Sequence, residues 1–128
     1  APSAFACPDG SLQETVNLMV SVGQHGEGAD TDETAAAIDG QAAACQSDPY
    51  VLKVAALARA TLADTADDKA DRLKLREQAL ADFDRSASLA SVGAPSELVM
   101  INGQAMAIGF GDTHELRAAL IAALNEDR

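Results

Sequence analysis

Helix-start signals recur along this chain at short intervals, and each is followed by apolar residues at helical spacing. Ser11 with Glu14 fits a capping box, with Leu12, Val16, Met19 and Val20 behind it, which predicts a first helix from about Leu12 to Val22. Asp30 with Glu33 repeats the pattern before Ala35-Ala36-Ala37-Ile38, and this second helix should reach Cys45. Asp48-Pro49 starts a third, because proline suits the first helical position and aspartate caps the open N–H groups. A long fourth helix should begin between Asp64 and Asp68 and reach Leu89, with Leu73, Leu80, Phe83 and Ala87 on its buried face. Gly93, Pro95 and Ser96 punctuate a fifth start, after which Leu98, Ile101, Ala105 and Ile108 recur at three and four residues. Asp112 with Glu115 caps a sixth, carrying Leu116, Leu120, Ile121 and Leu124. No segment is read as a strand. The expectation is an all-α chain: a tail over residues 1–10 and one domain over 11–128, about six helices in three antiparallel hairpins.

The run Arg76-Glu77-Gln78-Ala79-Leu80-Ala81-Asp82-Phe83-Asp84-Arg85-Ser86 resembles the second helix of a tetratricopeptide repeat, with Ala79 and Phe83 at that family's spacing. Ala37, Ala44 and Pro49 give a fainter second match. Ser86 stands where the family usually has alanine and Gln41 where it has an aromatic. The resemblance implies a right-handed solenoid that displays a protein-binding surface. The alternative from the same helices is a compact bundle.

Aromatics are only 3% and Trp is absent, so alanine, leucine and valine must fill the core. A net charge of -11 argues against nucleic acid and anionic lipid surfaces as partners, because affinity for either begins with Lys and Arg. The longest unbroken apolar run, Ala118 to Leu124, falls far short of the roughly 20 residues that cross a bilayer, so no membrane span is expected. The opening Ala1-Pro2-Ser3-Ala4-Phe5-Ala6-Cys7 resembles a mature terminus left by a signal peptide, which predicts a secreted or periplasmic protein. Cys7 and Cys45 are then read as one disulfide, with two small buried hydrophobes as the other reading.

Chemistry finds little support. His114-Glu115 opens like a zinc-protease helix, but the second histidine is replaced by Ala118. Asp64, Asp67, Asp68 and Asp71 lack the glycine-centred ligand loop of a calcium site and are interrupted by Lys69. Gly109-Phe110-Gly111 follows no strand in this reading and is not a phosphate loop. No catalytic, metal or cofactor-binding residue is assigned, and no cofactor is expected.

The terminal helices carry the functional expectation. The last is apolar on every side from Ala118 to Leu124, and the first adds Leu18 and Val22 to its stripe. If both ends of a solenoid are uncovered, Leu18, Val22, Leu116, Leu120, Ile121 and Leu124 bind a protein, including further copies of the chain, with Phe5 in the tail as an arm. Contact between unlike ends would propagate, so a homopolymer or fibre subunit is the second reading. A small enzyme or cation binder is the third.

Overall fold

The computed structural model describes residues 7–8, 10–25, 31–90 and 93–127. It is mostly helical: α1 (Ser11–His25), α2 (Thr31–Ala44), α3 (Pro49–Thr65), α4 (Lys69–Leu89), a strand pair β1 (Glu97–Ile101) and β2 (Gln104–Ile108), and α5 (Thr113–Asp127).

Helix α3 is the axis of the fold. Every residue from Val51 to Ala56 is buried, as are Ala58, Leu62 and Ala63, and a helix apolar on all sides is one surrounded by neighbours. Its alanines let α1, α2 and α4 approach closely, which suits a chain without large aromatic filler. Asp48 starts it as expected, accepting from the Tyr50 N–H at 2.9 Å and the Val51 N–H at 3.3 Å. Helix α4 lies along α3 and receives α5 on its other side.

That double contact turns the buried stripe of α4 from the one expected. Phe83 is 1% exposed, with Leu75, Ala79 and Ser86 also buried, while Leu73 and Leu80 are half-buried and Ala87 is exposed. The Ser86 hydroxyl donates to the Pro49 carbonyl at 2.6 Å, tying α4 to the first turn of α3. A serine at this position therefore supplies a bond that alanine would lack.

Cys7 and Cys45 lie at disulfide distance, with Cα atoms 4.9 Å apart and Cys45 fully buried. The closed loop contains α1 and α2, and in the chain-entropy account a loop of this length stabilises by about 4 kcal/mol.

The expected fifth helix is absent: residues 97–108 form an antiparallel hairpin, pairing Glu97 with Ile108, Val99 with Met106 and Ile101 with Gln104. Asn102 and Gly103 make its turn with φ of 51° and 81°, the doubly left-handed backbone of a type I′ turn, whose twist matches that of paired strands. The expected caps of the outer helices also shift. Gly10, at φ 84°, precedes Ser11, and the Gly10 carbonyl accepts from the Glu14 N–H. The Asp112 carboxylate meets Lys53 rather than capping α5. Asp30 lies outside the described residues.

Candidate interaction surface

A two-residue turn between directly opposed residues fixes which groups face inward. Ile101 and Gln104 close the turn, so Val99 and Met106 also exchange backbone bonds. The backbone groups of Leu98 and Met100 then point away from β2, and those of Ala105 and Ala107 point away from β1. The side chains divide accordingly. Val99, Ile101 and Ile108 pack on Val16 and Val54 of α1 and α3, whereas Leu98, Met100, Ala105 and Ala107 share the outer face.

Polar contacts fasten the hairpin to the helices. The Gln13 amide donates to the Met100 carbonyl at 2.8 Å and accepts from the Met100 N–H at 2.8 Å. One side chain thus bonds Met100 of β1 as a neighbouring strand would. Gln24 donates to the Asn102 side chain at 3.2 Å, and the Tyr50 hydroxyl donates to the Pro95 carbonyl at 2.5 Å. The Lys53 ammonium, buried within α3, donates to the Gly109 carbonyl and to Asp112, with the Phe110 ring 5.9 Å away. A Cβ at Gly109 would stand 2.8 Å from the Ser96 hydroxyl oxygen, so a side chain there would make Ser96 turn aside.

What the hairpin leaves exposed is apolar, on the outer face at Leu98 and Met100 and on the inner face of β2 at Met106. Leu98 is 75% exposed, Met100 50% and Met106 47%; with Leu89 at 38% they complete the exposed large hydrophobics of the described residues. All four fall in residues 86–111, a stretch whose sole charged residue is Glu97 in a chain of net charge -11. Charge depletion around exposed large apolar groups is what the centre of a protein interface displays. The sequence signals for this surface were Asn102-Gly103 between apolar runs and the gap in charge, neither of which helical spacing reveals.

The residues expected to bind through the terminal helices are placed otherwise. Val22, Leu120 and Leu124 are buried in the core and offer no docking surface in this fold. Leu18 and Leu116 are half-buried against core clusters, and Ile121 is half-buried. Phe5 lies outside the described residues. Helix α5 is covered on one side: it lies on α4, where Leu120 packs with Phe83 and Ala79, while Ala118, Ala119 and Ala122 are exposed.

The charged groups of the helices act on one another. Arg76 bonds Asp64 at 3.0 Å, Asp68 caps α4, and Arg72 and Arg76 both hold Asp127 at the end of α5. The hydrogen bond from Arg72, then the charges of Arg72, Arg76 and Lys69, keep the Asp127 carboxyl below the ordinary aspartate value of 3.8. Arg59, buried on α3, faces Asp39 and Asp82; burial raises the Asp82 carboxyl above the ordinary value against the pull of Arg59. Among the described residues no three His, Cys, Asp or Glu side chains gather as a metal site. No helix among them is long and apolar enough to cross a membrane.

Comparison with protein-family models, with curated proteins and with solved structures gives no match to this chain.

Proposed function

We propose that this chain is a non-enzymatic protein-binding module that works outside the cytoplasm and associates with copies of itself, with the outer face of the hairpin as its contact. The observation that carries the reading is the confinement of the exposed large hydrophobics, among the described residues, to one nearly charge-free segment, held in place by polar contacts to α1 and α3. A surface of this kind loses apolar area from water when a partner covers it, and the anchored backbone keeps the ordering cost of docking low. The paired cysteines support an oxidising compartment, secreted or periplasmic. The tetratricopeptide resemblance is retained only as a single hairpin, α3 with α4, supported by Ala79 and Phe83 buried against their neighbours.

A second reading, the homopolymer subunit, is favoured by a groove of about 200 Å³ where Leu57, Ala60, Leu116 and Ala123 meet between α3 and α5. A hairpin seated in the groove of the next copy would be a contact between unlike surfaces, which propagates.

Light scattering across a concentration series tests the main reading. The parent chain is expected to rise above 13.1 kDa as concentration increases. Leu98→Ser with Met100→Ser is expected to remain at the monomer mass while melting at the parent temperature, since both side chains are exposed. A double variant that associates like its parent would remove the hairpin face from the proposal.

A further inference from the structure

The two edges of the hairpin are not equivalent. Along β1 the N–H and C=O of Met100 are both taken by Gln13. Along β2 the outward N–H and C=O groups of Ala105 and Ala107 have no strand beside them among the described residues, which form a two-stranded sheet. An open row of alternating donors and acceptors is complementary to one thing, another extended strand. Natural edges are usually blunted with lysine, proline or a bulge. The sequence Gln104-Ala105-Met106-Ala107-Ile108 has none of these, and its outward positions are both alanine.

We propose that β2 pairs antiparallel with β2 of a second copy about a two-fold axis at Met106, joining the two hairpins into a four-stranded sheet. The proposal rests on the self-association reading above and specifies its geometry. In this register Ala105 of one copy faces Ala107 of the other, and each outward N–H meets an outward C=O. Met106 then faces its own counterpart. The register is self-complementary, as a two-fold contact requires.

Charge selects the occupant. The protein as a whole attracts basic partners, but β2 offers no charge for such a partner to meet, so the matching surface is itself an uncharged extended segment. Among the described residues the segment of that kind is β2. The apolar strip of Leu98, Met100, Ala105 and Ala107 becomes twice as wide in the joined sheet, against the repulsion of two copies that each carry a net charge of -11. Their mutual repulsion is long-range and screened by salt, whereas strand pairing is not.

Three measurements on the full chain test the pairing. Met106→Cys under mild oxidation is expected to give a covalent dimer, since cross-strand neighbours at a two-fold axis bring their Cβ atoms within disulfide reach. Ala107→Cys is the control: its two copies are offset along the strands and should crosslink about tenfold more slowly. Absence of the Met106→Cys dimer overturns the proposal. Ala107→Pro and, independently, Ala105→Lys are expected to weaken association at least about tenfold without lowering the melting temperature, because both positions face outward. Unchanged association in both overturns the strand pairing. If it is nevertheless lost in the Leu98→Ser, Met100→Ser variant, the apolar-face reading survives alone; the reverse pattern leaves the pairing and removes that reading. Association is also expected to tighten as ionic strength rises, and weakening with salt would overturn the choice of a like-charged copy.

Discussion

Helix α3 and the β1–β2 hairpin are the two segments of this protein richest in apolar residues, and they differ in what surrounds them. On α3 every side is covered, so even its two cations, Lys53 and Arg59, are buried and held by carboxylates that reach in from neighbouring elements. On the hairpin one face is covered by α1 and α3, and the other holds Leu98 and Met100 in solvent. Stability and recognition are thus drawn from different parts of the chain. Apolar content alone does not say which purpose it serves; the number of covered sides does.

The largest effect that sharpens this contrast is expected in the core around α3. Phe83→Ala removes a fully buried ring from the cluster shared with Ala56, Ala79 and Leu120, and should cost about 3 to 5 kcal/mol, read as a lowered denaturation midpoint. A variant that unfolds with its parent would mean that α5 can close over the cavity and that this cluster is no core.

A smaller effect is expected where the two regions meet. Gln13→Ala leaves both backbone groups of Met100 to water; because the site is exposed the loss should be about 1 kcal/mol. Hydrogen exchange should show faster opening of β1 and unchanged protection in α3. Equal acceleration in both would break the distinction, since it would make hairpin and helix one cooperative unit.

The smallest expected effect is confined to acid. Asp127 has its folded value lowered, so the folded state binds fewer protons than the unfolded one as pH approaches 3.8. Its contribution is fully present above the unfolded value and is lost as pH falls through the folded one. The melting-temperature difference between the parent and Asp127→Asn should therefore close on acidification; a difference constant with pH would show that the Arg72 and Arg76 contacts do not depend on the charge. Asp82, with its value raised, works in the opposite sense, favouring the fold on the acid side and losing that contribution as pH rises through its folded value.

Most helices were legible in the sequence because their starts are local: Asp48-Pro49 and Asp68 act through atoms two or three residues away. The hairpin was misread because Leu98, Ile101, Ala105 and Ile108 satisfy helical spacing by coincidence. A two-residue turn inserted in an alternating pattern shifts its phase, and the combined pattern passes for a period of 3.6. Asn102-Gly103 was the feature that should have decided the matter, since both residues adopt positive φ. Which side of each terminal helix is covered was not legible for a different reason. Whether Leu120 and Leu124 meet water depends on α4, and nothing within α5 encodes that neighbour. The Cys7–Cys45 pairing was accessible because two cysteines allow only one intramolecular partnership.

The amide of Gln13 has a consequence for growth. A strand pair with both edges open can add chains on either side without limit, which is how ordered aggregates lengthen. With Met100 near the centre of one side taken by a side chain of the same molecule, and α1 packed on that strand, the sheet has one side free for a further strand. Addition of a single strand saturates it, and an apolar hairpin held in solvent is kept from seeding a fibre along its hydrogen-bonding direction.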